Sequence, residues 1–103
     1  MNEKVAKCLL VSKVLVADGM MTDDERGFLD AMMTAEGLDA GERRRVIELE
    51  GWDQAEALVR ALPIEQRRAL IAQLVDAASA DGRLSANELA TIRTVAAELG
   101  ITD

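Results

Sequence analysis

The sequence predicts an all-α fold, a compact bundle of about six helices in one domain spanning residues 1–103. Three observations predict it. Apolar residues recur at spacings of three and four along successive segments, which is the period of a helix with one buried face. One proline and seven glycines leave little material for hairpins. Finally, most of these segments open on a side chain suited to capping a helix N-terminus.

The first predicted helix covers about residues 3–17. It carries Cys8 on its apolar stripe, which favours a packed and unreactive thiol. Thr22 and Glu25 stand three residues apart in a capping-box pattern, so a second helix begins there. We expect that helix to end at Gly37, because glycine commonly terminates helices.

Two short helices are predicted to connect the halves of the chain. Asp39 with Glu42 starts the first, and Asp53 with Glu56 starts the second. Trp52 lies between them and is expected to fill the core at the turn. The apolar residues expected to face inward are Val46, Ile47, Leu49, Ala55, Leu58, Val59 and Leu62.

A fifth helix is predicted after Pro63, which suits the first turn of a helix. The sixth begins with Ser85 as its cap and Glu88 three residues later, and it ends at Gly100. The expected inward residues of these two helices are Leu70, Ile71, Leu74, Val75, Ala78, Leu89, Ile92, Val95, Ala96 and Leu99.

Composition excludes several functions. The chain has no histidine and one cysteine, so it lacks a histidine-based catalytic group and a cysteine-rich zinc site. Its net charge of −7 opposes nucleic-acid binding, which depends on Lys and Arg neutralising phosphates. No apolar run is long enough to span a membrane, and no cleavable leader is recognisable. We therefore expect a cytoplasmic protein.

The chain also contains an internal repeat. Residues 17–25, Ala-Asp-Gly-Met-Met-Thr-Asp-Asp-Glu, align without a gap with residues 80–88, Ala-Asp-Gly-Arg-Leu-Ser-Ala-Asn-Glu. Both blocks share Ala-Asp-Gly, a hydroxyl cap and a glutamate seven positions after the aspartate. A predicted amphipathic helix lies on either side of each block. The chain is therefore a pseudo-duplicated helix–loop–helix, with repeat units of about 3–37 and 66–100 joined by 38–63.

This pair of Asp-Gly-x-[Met/Leu]-[Thr/Ser]-x-x-Glu loops resembles the TerB-like tellurite-resistance family, and the resemblance covers nearly the whole chain. A related domain occurs in J-domain co-chaperones. The resemblance implies an all-helical fold and a divalent-metal site formed by acidic loop residues. It also implies a role in tellurite or stress resistance. On the residues that match the motif, the implied ligands are Asp18, Glu25, Asp81 and Glu88.

The helical pattern independently places these four carboxylates at the rim of the core. Asp18 and Asp81 extend the apolar stripes of the preceding helices, and Glu25 and Glu88 extend those of the following ones. Carboxylates that gather beside a low-dielectric core repel one another and need protons, basic partners or a hard cation. An oxygen-only ligand set favours Ca²⁺ or Mg²⁺.

A purely structural role explains the same residues. Each glutamate completes a capping box, and each aspartate is suited to capping free backbone amides. The expected function is nevertheless a non-enzymatic module that binds or senses a divalent cation and contacts a protein partner. No organic cofactor is expected. The alternative is a metal-free acidic helical adaptor that docks a basic protein partner. No pairing of nucleophile with base and no phosphate-binding glycine loop supports an enzyme.

Overall fold

A computed structural model of the chain describes residues 1–16, 21–79 and 86–101. These residues form six α-helices and no strand, as the periodicity predicts. In chain order the helices are α1 (Glu3–Leu15), α2 (Asp23–Ala35), α3 (Ala40–Ile47), α4 (Trp52–Arg60), α5 (Ile64–Ala78) and α6 (Ala86–Glu98).

Helix α1 forms the centre of the bundle. It packs against all five other helices. Nine of its thirteen residues are buried, including Val5, Leu9, Leu15 and the predicted stripe residue Cys8. A helix surrounded in this way must be apolar on most of its faces, which the run of Leu and Val in α1 provides.

The predicted caps are confirmed at α2 and α3. Thr22 and Glu25 form a complete capping box at the start of α2, and Asp39 and Glu42 form another at α3. Gly37 follows α2 with a φ of +73°, a left-handed conformation that costs glycine little. Local hydrogen bonds therefore define both helix starts.

The predicted cap of α4 is wrong. Gly51 is the residue before the helix, in the left-handed region, and no side chain of the described ranges caps α4. Helix α4 begins at Trp52, so Asp53 already lies inside the first turn. Trp52 was predicted to lie between α3 and α4 but is the first residue of α4, where it is half-buried and packs against the core.

Two residues predicted to face inward are exposed. Ile47 is 37% exposed at the end of α3, and Val75 is 38% exposed on α5. On α3 only Val46 is buried, because this short helix covers α1 with a narrow face. Pro63 directly precedes α5 instead of lying in its first turn.

Candidate functional site

Glu25 is the third residue of α2, and its carboxylate has two distinct environments. Its Oε1 accepts a hydrogen bond from the backbone N–H of Thr22 at 2.9 Å, while the Thr22 Oγ1 accepts one from the Glu25 N–H at 3.1 Å. The side chain is 2% exposed. Its Oε2 is buried and has no hydrogen-bond partner among the described residues. The capping box therefore accounts for one oxygen of Glu25 and leaves the other unexplained.

Glu88 occupies the equivalent position in the second repeat. It is the third residue of α6 and is 4% exposed. Glutamate is rarely buried to this extent in proteins. The prediction that the stripes of α2 and α6 continue into inward-facing carboxylates is therefore confirmed for Glu25 and Glu88.

The other two predicted ligands, Asp18 and Asp81, lie outside the described residues, as does the predicted cap Ser85. Within the described ranges, no three acidic or cysteine side chains lie close enough together to hold a metal ion. Metal binding by the four carboxylates stays a prediction.

Contacts elsewhere in the bundle orient the helices that carry Glu25 and Glu88. A surface cavity of about 250 Å³ is lined by Lys7 of α1, Glu36 at the end of α2, and Gln66 and Gln73 of α5. The first two-thirds of α5 thus lie beside the first half of α1 and the end of α2. Arg67, in the first turn of α5, contacts Leu99 at the end of α6.

These contacts mean that α1 and α5 run in one direction and that α2 and α6 return in the other. The last turns of α1 and α5 and the first turns of α2 and α6 therefore lie on the same side of the bundle, which we call the loop end. Glu25 and Glu88 are both at the loop end. The helix ends that flank the two repeated segments therefore share one side of the bundle.

Other acidic and reactive groups differ from these two glutamates. Asp23 and Asp24, in the first turn of α2, are exposed. Cys8 is completely buried, as predicted, and lies one helical turn before Ser12 on α1. Burial, with a smaller contribution from the Glu36 charge, raises the pKa of the Cys8 thiol to about 12. The thiol therefore stays protonated and unreactive at neutral pH.

Ser12 lies on the apolar stripe of α1, and the sequence pattern assigns it no function. The structure buries its hydroxyl in the last turn of that helix, at the loop end. The signal in the sequence was a hydroxyl residue at a position where the periodicity expects an apolar one. A serine at such a position is readily interpreted as an ordinary packed residue of a core formed by Leu and Val.

Among the described residues, no helix combines the length and the apolar character needed to cross a bilayer.

Comparison with protein-family models matches residues 4–103 to the family described as tellurite resistance protein TerB. Searches of curated proteins and of solved structures returned no significant match. The family match covers nearly the whole chain, both repeats included.

Proposed function

The chain belongs to the TerB tellurite-resistance family, and from this premise we propose that it is a non-enzymatic module that binds a divalent cation at the loop end. The main support is Oε2 of Glu25, which is buried and lacks a hydrogen-bond donor among the described residues. A carboxylate oxygen removed from water is costly unless a proton, a donor or a cation compensates it. The family's association with tellurite resistance supplies the proposed biological setting.

The chemistry of the donors fits a hard cation. Glu25 and Glu88 offer carboxylate oxygens from two helices whose first turns lie at the same end of the bundle. The chain has no histidine, and its one thiol is buried and protonated. Oxygen ligands without nitrogen or sulfur favour Ca²⁺ or Mg²⁺ over zinc or copper. Asp18 and Asp81 are the proposed remaining ligands, through their place in the repeat.

The test is the thermal unfolding of the protein with and without millimolar CaCl₂, MgCl₂ or MnCl₂. A cation that binds only the folded state adds about 2.7 kcal/mol of stability at a concentration 100-fold above its Kd. Glu25→Gln and Glu88→Gln should each abolish most of the rise in Tm. Glutamine also completes a capping box, so these variants should stay folded without the cation.

Asp23→Asn is the matched control, because Asp23 lies in the same first turn as Glu25 but is exposed. This variant should keep the cation response of the unmodified protein. A wild-type Tm that none of the three cations changes would overturn the metal proposal.

A second candidate function is a metal-free acidic adaptor. The exposed carboxylates of Asp23 and Asp24, together with the net charge of −7, favour a basic protein partner. Binding of an oligolysine peptide that weakens with salt and is lost in the Asp23→Asn/Asp24→Asn double variant would support it. Equal binding by the double variant would count against it.

A further inference from the structure

Ser12 presents a buried polar group that the fold itself does not satisfy. The residue is 1% exposed, and its Oγ has no hydrogen-bond partner among the described residues. Leaving such a group unpaired costs roughly 1–3 kcal/mol. Native proteins satisfy nearly all buried polar atoms with protein groups or with bound water, so this hydroxyl points to a bound group.

Other hydroxyls in this protein show the arrangement that Ser12 does not adopt. Thr34, Ser79, Thr91 and Thr94 each donate to the backbone carbonyl four residues earlier, at 2.7–3.0 Å. This bond is the usual way for a helical hydroxyl to be satisfied without a tertiary partner. The corresponding acceptor for Ser12 would be the carbonyl of Cys8, and that bond is absent. The backbone of its own helix therefore does not satisfy the Ser12 hydroxyl.

Ser12 also lies at the same end of the bundle as the two buried glutamates. It lies in the last turn of α1, and α1 packs against both α2 and α6. Glu25 and Glu88 lie in the first turns of those two helices, at the same loop end. Ser12 Oγ and Glu25 Oε2 are thus two buried oxygen atoms at the loop end, and each lacks a hydrogen-bond partner among the described residues.

We propose that Ser12 is a positioning residue of the cation site, and that its hydroxyl and Glu25 Oε2 hold one buried water molecule between them. This inference rests on the proposed function for the identity of the cation. A serine hydroxyl can donate to water while offering its lone pairs to another donor. It is neutral, so it orients a ligand oxygen without adding to the repulsion among the carboxylates. Glu25 Oε1 is then fixed by the capping box and Glu25 Oε2 by the water.

The test compares Ser12→Ala with the wild-type protein by calorimetric titration with CaCl₂ and MgCl₂ and by thermal unfolding. Loss of a partner that orients a metal ligand typically weakens metal binding by 10–100-fold, and we expect a loss of roughly tenfold here. Without the cation, the Tm of the variant should fall only slightly, because Glu25 Oε2 can still hold the water after the hydroxyl is lost. If Ser12 only stabilised the fold, the substitution would not lower the cation affinity while leaving the Tm without the cation almost unchanged.

Ser79→Ala is the matched control, since Ser79 is the C-cap of α5 at the loop end and its hydroxyl is already bonded to the Val75 carbonyl. It should bind the cation as the wild type does. If Ser12→Ala does not fold, Ser12→Cys keeps the size of the side chain and should show the same weakening.

Wild-type affinity in the Ser12 variant would overturn this inference and leave the proposed function standing. A wild-type protein that binds neither cation would overturn the proposed function itself. A high-resolution crystal structure gives a separate readout. Water within hydrogen-bond distance of Ser12 Oγ and Glu25 Oε2 supports the inference, whereas a hydroxyl bonded to the Cys8 carbonyl overturns it.

Discussion

The guanidinium of Arg67 donates a hydrogen bond from Nη1 to the backbone carbonyl of Leu99, at 2.5 Å. The two residues are 32 positions apart and join the first turn of α5 to the end of α6. Gly100 follows with a φ of +75°, so that the N–H groups of Gly100 and Ile101 turn back onto carbonyls of the last helical turn. Arg67 thus satisfies a carbonyl at a helix end where the backbone supplies too few donors.

Arg67→Met should therefore destabilise the protein. A hydrogen bond from a charged donor is worth about 1.5–3 kcal/mol. The buried Nε of Arg67 has no partner among the described residues, and its removal offsets part of that loss. We expect a net loss of about 1–2 kcal/mol in urea unfolding. Arg60→Met is the control, because Arg60 forms a partly exposed ion pair with Glu56 that is worth about 0–1 kcal/mol. Equal losses in the two variants would contradict the role assigned to Arg67.

The elements that the sequence predicted well are those fixed by local interactions. Thr22 with Glu25 and Asp39 with Glu42 are each three residues apart, and the hydrogen bonds that start these helices lie within that span. At α4 the same spacing, between Asp53 and Glu56, predicted the wrong helix start, because Gly51 adopts a left-handed conformation and the helix begins at Trp52. Spacing alone does not reveal such a backbone turn.

The candidate site was predictable only in part, for a related reason. Glu25 and Glu88 continue apolar stripes, so their burial follows from helical periodicity. The unsatisfied hydroxyl of Ser12 and the contact between Arg67 and Leu99 depend on how distant helices pack. Periodicity shows which face of a helix is buried, but it does not show which atoms meet there.

Lys13 and Trp52 form a second contact between distant segments. The Lys13 Nζ lies 4.0 Å from the centre of the Trp52 ring and links α1 to the first residue of α4. Lys13→Met keeps the apolar stem and removes the charge, so we expect a loss of about 0.5–1 kcal/mol. Chemical unfolding followed by tryptophan fluorescence measures it. Lys4→Met, on the exposed start of α1, is the control, and a loss no larger at Lys13 than at Lys4 would argue against the cation–π contact.

Gly27 and Gly51 should respond to alanine in opposite directions. Gly27 is exposed within α2, and a Cβ atom there would meet no other part of the described chain within 4 Å beyond its own helix backbone. Gly27→Ala should therefore stabilise the protein by about 0.5–1 kcal/mol. Gly51 has a φ of +86°, and there Gly51→Ala should destabilise by about 1 kcal/mol or more. Thermal unfolding of both variants checks the pair. A stabilising Gly51→Ala would show that the left-handed turn is dispensable.

Cys8 should make the stability of the protein depend on pH in the alkaline range. Its pKa is about 12 in the folded protein, against an ordinary value of 9.0, because burial disfavours the thiolate. The stabilisation from keeping the thiol protonated is fully present below pH 9 and is lost as the pH rises towards 12. Within that range the unfolded chain releases the proton first, so the free energy of unfolding should fall by up to about 1.4 kcal/mol per pH unit. Lysines titrate in the same range, so the comparison is with Cys8→Ala, measured by urea unfolding at pH 7, 9 and 10. At pH 7 the variant should be less stable than the wild type by roughly 1 kcal/mol or somewhat more, because packing is lost. This difference in the free energy of unfolding should become smaller as the pH rises. A difference in the free energy of unfolding that stays constant from pH 7 to 10 would show that the thiol ionises as readily in the folded protein as in the unfolded chain.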